Sequence, residues 1–139
     1  MIGLITTTLF YVGCYTDGDH PDGLHLVDVN PADGKIELRA SYALDNPLYL
    51  ARSHDGAYLV AVERSGLAAF AIAADGALAK TDFVDLGAKA LCHLSFMPSG
   101  GSICWAAYIN GESGTVDFSG GRFGKAVKFR HSGSGPNLP

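Results

Sequence analysis

The chain has 139 residues, 47% of them hydrophobic and 17% charged, with a formal net charge of −4. That hydrophobic content excludes a disordered chain, and that length supplies one ordinary domain with a real core. No apolar run reaches the ~18 residues of a membrane-spanning helix, and ten Lys and Arg against fourteen Asp and Glu argue against a nucleic-acid or membrane partner.

Met1 to Thr8 is apolar and β-branched, with no basic start or small-residue cleavage site, and reads as a strand or an irregular start rather than a secretion signal. From there short apolar runs alternate with turn dipeptides. Strands are predicted over 9–16, 23–29 and 35–44, with a loop from Asp17 to Asp22 and a turn at Asp33-Gly34. The next four cover 48–53, 58–63, 66–73 and 77–86, with turns at Asp55-Gly56 and Asp75-Gly76. The last four cover 92–96, 103–108, 114–118 and 123–131, with turns at Pro98 to Gly101 and Gly120-Gly121. Asx-Gly and Gly-Gly pairs supply the positive φ that tight hairpins need. The alanine-rich run from Gly66 to Ala74 favours helix on propensity. Its counterpart one unit earlier, Gly23 to Gly34, is plainly strand and turn, so Gly66 to Ala73 is assigned as strand.

That comparison exposes an internal repeat. Residues 47–56 align with 91–100 at an offset of 44, and the match carries on from Leu59-Val60-Ala61-Val62 to Ile103-Cys104-Trp105-Ala106. Four strands in ~40–50 residues is the period of a β-propeller blade. One blade cannot cover its own faces, so blades stack and bury residues such as Leu50, Val60 and Phe70. The predicted fold is all-β, built of four-stranded antiparallel blades, about three of them and the first incomplete. A closed ring needs at least ~4 blades. Residues 1–139 are therefore expected to be the N-terminal portion of one propeller domain, inactive and prone to association when isolated.

Tyr11-Val12-Gly13-Cys14-Tyr15-Thr16, Asp45-Asn46-Pro47-Leu48-Tyr49-Leu50, Cys92-His93-Leu94-Ser95 and His131 to Asn137 occur in this order. In that arrangement the chain resembles the seven-bladed propeller lactonases, which include 6-phosphogluconolactonases and carboxymuconate-lactonizing enzymes. The resemblance runs from about Leu9 to Asn137. It implies a seven-bladed ring, metal-independent lactone chemistry with no cofactor, a small-molecule lactone as substrate, and a site in the central cleft. It also implies that a His-rich stretch and a later catalytic Glu and Arg lie beyond Pro139. The chain departs from the family at Ala107 to Glu112, where an Asn-Tyr-Gly-Gly-Gly-like turn is usual. Three readings stay open: a lactone hydrolase, a muconate cycloisomerase, and a non-catalytic propeller that binds a protein or carbohydrate.

Blade geometry sorts the polar residues. Tyr49 and His93 occupy equivalent positions on innermost strands, while Tyr15 and Glu63 end second strands. Arg64, Tyr108, Asn110 and Asn137 fall on the same rim. Opening a lactone needs a base for water and donors for the developing oxyanion. His93 and Glu63 are the catalytic candidates. Tyr15, Tyr49, Arg64, Tyr108, Asn110 and Asn137 are the candidates for binding substrate. For each, packing or an exposed ion pair is the competing role. His20, His25 and His54 are assigned to solvated positions, and Cys92 next to His93 is not a dyad, because strand neighbours point to opposite faces. Cys14, Cys92 and Cys104 form no C-x-x-C pair and leave one thiol over in any disulfide scheme, which predicts a reduced, cytoplasmic protein. No residue cluster has metal-ligand spacing.

Overall fold

The computed structural model describes residues 8–133. The start predicted over residues 1–7, and Asn137 with its loop, lie outside them. Eleven strands and no helix make up the described residues. They are β1 (Thr8–Gly13), β2 (Asp22–Val29), β3 (Ile36–Ala43), β4 (Leu50–Arg52), β5 (Tyr58–Glu63), β6 (Gly66–Ile72), β7 (Leu78–Asp85), β8 (Leu91–Phe96), β9 (Ser102–Ala107), β10 (Glu112–Ser119) and β11 (Arg122–Arg130). Each falls where the sequence predicts a strand. The largest shortfalls are at β1, which ends at Gly13 rather than Thr16, and β4, which keeps three residues of six. Beyond β1 the Thr16 N–H turns to the Asn46 side chain, and before β4 the Leu48 N–H turns to the Asn46 carbonyl.

The strands form three antiparallel sheets ordered β1-β2-β3, β4-β5-β6-β7 and β8-β9-β10-β11. The first has three strands and corresponds to the last three of the others, because β1 and β2 match β5 and β6. Gly66-Leu67-Ala68-Ala69-Phe70-Ala71-Ile72 is a strand in full register with β5, from Tyr58↔Ala71 to Glu63↔Gly66. Tertiary pairing overrides helix propensity there. Gly66 has a steric reason as well, since a Cβ at that position would overlap the Val84 carbonyl.

The middle sheet is buried on both faces. Val60, Val62, Leu67 and Ala69 pack against Leu94, Ile103, Trp105, Val116 and Phe118 of the third sheet. Leu59, Ala61, Ala68 and Phe70 pack against Leu24 and Leu44 on the side of the first sheet. At one end of the interface between the middle and third sheets Phe118 meets Tyr58, Phe96 and Phe123, with ring centroids 5.4–5.6 Å apart, within the range of favourable edge and tilted aromatic contacts.

Polar fasteners join the sheets. Tyr11 Oη donates to the Gly76 carbonyl (2.7 Å), and Leu78 N–H donates to Tyr42 Oη (2.9 Å). Between middle and third sheets Thr81 Oγ1 donates to the Gly121 carbonyl (2.8 Å), and Phe123 N–H donates to Asp82 Oδ2 (2.8 Å). The Phe123 N–H is the main cause holding the Asp82 carboxyl below its ordinary value of 3.8, with lesser help from the Phe83 N–H and Arg122. A lowered carboxyl stabilises the fold above its ordinary pKa, and that contribution is lost as pH falls through the folded value. Asp82→Ala is expected to cost about 1 kcal/mol at neutral pH. In urea titrations its deficit against the parent should close as pH drops below 3.8.

The outer faces of the stack are less well covered. Phe10, Val27 and Leu38 stand in register across the first sheet, as Cys104, Thr115 and Val127 do across the third. Phe10 is 50% exposed, Leu38 64%, Val127 55% and Phe129 62%. Contiguous apolar sheet faces drive association. In isolation these 139 residues are expected to elute from size exclusion as oligomers or aggregates, and a monomer with a sharp cooperative melt would contradict this.

Candidate active site

The loops that follow β1, β5 and β9 share one end of the stack, and the chain repeats one docking there. The β5–β6 turn rests on the segment entering β4 through Arg64 N–H to the Asp45 carbonyl (3.4 Å). The β9–β10 turn rests on the segment entering β8 through Tyr108 N–H to the Ala90 carbonyl (2.9 Å). Asn46 and Ala90, 44 positions apart, both hold left-handed backbone (φ 50° and 55°), as does Arg64 (φ 53°). Non-glycine residues adopt this conformation rarely, and it recurs where a surrounding structure over-determines it.

Within this rim the first and middle sheets enclose a cleft of about 400 Å³ lined by Thr16, Asp17, Asp45, Glu63 and Arg64 among others. Its floor is a closed network. Thr16 N–H donates to Asn46 Oδ1 (3.0 Å), and Asn46 N–H donates back to Thr16 Oγ1 (3.1 Å). Thr16 Oγ1 and Asn46 Nδ2 both donate to Asp45 Oδ1 (3.2 and 2.7 Å). The other Asp45 oxygen, Oδ2, receives Arg64 Nε (3.2 Å). Arg64 is thus held through Nε and lines the cleft beside Asp17, Asp45 and Glu63. At the mouth, Asp17 accepts from the His20 backbone N–H, the His20 ring and the Asp19 N–H, and these bonds hold its carboxyl below the ordinary value.

The innermost strands contribute a second pair. Tyr49 and His93 lie with ring centroids 4.5 Å apart, tilted by 50°. Tyr49 is half-buried and its carbonyl accepts from Val62 N–H (3.0 Å). His93 is exposed, and its imidazole makes no hydrogen bond among the described residues. It sits at a bulge, since Leu91 pairs with Ala107 and His93 with Ala106, leaving Cys92 as the extra residue. Cys92 Sγ donates to the Ala106 carbonyl (3.7 Å), and nothing links it to His93.

The other candidates are dispersed. Glu63 is half-buried and ion-paired with Lys80 at 2.6 Å, and no contact joins it to His93. Tyr15 is 79% exposed and Tyr108 65%. Asn110 is half-buried, and its Oδ1 is buried without a partner. Beside it Glu112 is buried, 3.5 Å from Lys128, which also donates to the Leu86 carbonyl (3.2 Å). Asp45, Asn46, Thr16 and Glu112 were not among the sequence candidates. The adjacent run Asp45-Asn46-Pro47 was the available signal, because Asx side chains before a proline build turns through their own hydrogen bonds. A larger cleft of about 440 Å³ opens at the opposite end, lined by Ser53, His54, Asp55 and the Pro98 to Gly101 turn. His54 Nε2 lies 3.0 Å from the Met97 carbonyl there. No group of three or more His, Cys, Asp or Glu side chains among the described residues could hold a metal ion.

The Asp45 network is testable by a double-mutant cycle. Asp45→Ala and Arg64→Ala are expected to couple by only about 0.2–1 kcal/mol, because the pair is exposed. Asp45→Ala with Thr16→Val should couple more strongly, and equal couplings in denaturant melts would refute the network.

The family model for the seven-bladed β-propeller lactonases matches residues 9–138. Comparison with the curated proteins returns no match. Among solved structures, a candidate 6-phosphogluconolactonase from Bacteroides fragilis superposes with a TM-score of 0.82 at 24% identity, over 94% of this chain and 38% of its own. One from Bacteroides uniformis gives 0.81 at 25% identity, over 94% and 40%. The periplasmic gluconolactonase PpgL of Pseudomonas aeruginosa gives 0.67 at 16% identity, over 88% and 39%. The chain therefore spans about two fifths of the length of the solved structures it matches. No helix among the described residues is long and apolar enough to cross a membrane.

Proposed function

Because this chain belongs to the seven-bladed β-propeller lactonase family, we propose that the whole protein hydrolyses a sugar lactone of the 6-phosphogluconolactone type. The observation that carries this reading is His93. The His93 imidazole is exposed, makes no hydrogen bond among the described residues and stands against Tyr49 with ring centroids 4.5 Å apart, so its ring nitrogens are open to water. In the proposed step His93 takes a proton from water as the oxygen attacks the lactone carbonyl. The tetrahedral oxyanion is stabilised by donors on the rim, with Tyr15 and Tyr108 as the hydroxyl candidates. Collapse breaks the ring C–O bond, and the leaving alkoxide takes the proton, giving the open hydroxy acid. Arg64, steadied by Asp45, binds the substrate phosphate, since guanidinium groups suit phosphate oxygens. Glu63 is committed to Lys80, so its contribution is to the field of the cleft rather than to proton transfer. Asn110 and Asn137 complete the binding rim in this scheme. Three free thiols support a reducing, cytoplasmic setting.

The test is lactone hydrolysis by the full-length protein, measured above the spontaneous rate on 6-phosphogluconolactone and on the unphosphorylated lactone. His93→Asn is expected to lower kcat by about 10²-fold or more. Arg64→Met should raise KM about tenfold for the phosphorylated lactone alone, as loss of one charge-assisted contact does. Hydrolysis of neither lactone would overturn the proposal, and an unchanged kcat in His93→Asn would remove His93 from it.

A further inference from the structure

The innermost strand begins with the same irregular step in the middle and third sheets. Leu91 and Leu94 are both buried in the core shared with the middle sheet. Residues on one face of a regular strand are two apart, so this spacing of three requires an extra residue. The bulge at Cys92 supplies it. In the middle sheet Pro47 is buried beside Gly13 and Gly23 of the first sheet, and Leu50 packs into the core on that same side. Between them the Leu48 N–H turns to the Asn46 carbonyl (2.7 Å), and pairing with β5 resumes at the Tyr49 carbonyl. At the offset of 44, Leu48 and Cys92 are equivalent, each set between a buried residue and the ring of Tyr49 or His93.

Both positions are exposed, and the two copies together show what a closed ring leaves open. Cys92 has the middle sheet on its preceding side, and Leu48 has the third sheet on its following side, yet neither is covered. Packing of a neighbouring blade therefore buries this position from neither direction. It borders the axis, one residue before the Tyr49 and His93 rings, which stand 4.5 Å apart. Neither side chain is charged. Leu48 is apolar, and a thiol behaves as a small hydrophobe with a weak donor, here turned to the Ala106 carbonyl at 3.7 Å. Small-molecule sites are largely apolar walls with a few polar groups that orient the ligand. The candidate polar groups lie on the rim and at His93, whereas Leu48 and Cys92 supply apolar surface next to them.

We propose that Leu48 and Cys92 are specificity-determining residues of the lactone site, an apolar wall on the axis against which the lactone ring is seated. This rests on the reading of His93 as the base. The wall offers no strong hydrogen bond to ring hydroxyls, so it selects by shape. A ring that lies flat against it presents its carbonyl to His93, and added bulk on the wall pushes the ring away. Selection of this kind is worth about 10–200-fold for a methylene-sized change.

The experiment alkylates the native full-length protein with iodoacetamide, with and without 6-phosphogluconate or gluconate, the open acids of the two lactones. Peptide mass spectrometry follows Cys14, Cys92 and Cys104, and calorimetry measures binding of each acid. With a bound acid at about ten times its Kd, Cys92 labelling is expected to slow about tenfold, while Cys104 labelling is unchanged. Binding that leaves the Cys92 rate as in the free protein overturns the wall alone. Binding of neither acid overturns the proposed reaction and the wall with it. Steady-state kinetics give a second readout. Cys92→Trp and Leu48→Trp should each raise KM about tenfold while kcat stays within about twofold. A merely structural role would instead lower kcat at constant KM and speed the labelling of half-buried Cys104, and that result overturns the proposal.

Discussion

Burial of the middle sheet on both faces is the constraint from which the other features follow. A sheet covered on one side shows alternating apolar and polar residues; a sheet covered on both cannot. In β5 and β6 the side chains alternate between two apolar neighbours instead, with Val60, Val62 and Leu67 turned one way and Leu59, Ala61 and Phe70 the other. The alanines have a mechanical role. Ala61, Ala68 and Ala69 are fully buried, and their small size lets three sheets stack closely while Phe70 and Trp105 fill the wider gaps. Interiors are packed to crystal-like density, so this exchange of small and large residues sets the spacing between sheets.

That spacing places the rim. Once adjacent sheets are fixed face to face, the segment entering each sheet must cross from the outer strand of one to the inner strand of the next, and it arrives beneath the turn that leaves the second strand. The docking of Arg64 on Asp45 and of Tyr108 on Ala90 is the same solution used twice, with the acceptor shifted by one residue in the second copy. Chemistry differs between the two copies because side chains differ. Asp45 and Asn46 with Thr16 form a polar network that orients a cation, whereas Lys89 and Ala90 offer the third sheet no such carboxylate. The repeat supplies equivalent positions, and substitution at those positions makes one of them a candidate site.

Electrostatics in the cleft are arranged around cations with tasks already assigned. Glu63 answers Lys80 and Asp45 answers Arg64, so the acidic groups serve mainly to hold cations in place. His93 differs from them in having no polar partner, and its position is set by a ring contact and a bulge. The bulge at Cys92 matters for that reason. It interrupts the two-residue alternation of β8, so the direction of the imidazole is decided by the pairing of the strand with β9 and by the Tyr49 ring.

The sequence by itself determined the all-β class, nearly every strand, the turns and the 44-residue repeat, because these rest on local conformational preference and on apolar periodicity. It also placed Tyr49 and His93 as equivalents, since an offset along the chain becomes an offset between sheets once the sheets stack. What it could not determine was which neighbours share a contact. His25, assigned to solvent on its surroundings in the chain, is bonded to Ser41 and lies against Cys14, because strand pairing brings together residues 11 and 16 positions apart. Glu63 and His93, joined in the sequence argument as a catalytic pair, make no contact: they stand on different sheets, and the carboxylate is paired with Lys80 from two strands away. Asp45 and Asn46 carried a turn signal but no signal of a site, because their role appears only when Thr16 and Arg64 arrive from other strands. Local forces write elements into a sequence residue by residue, whereas a site is a meeting of side chains whose distances exist only after the sheets have packed.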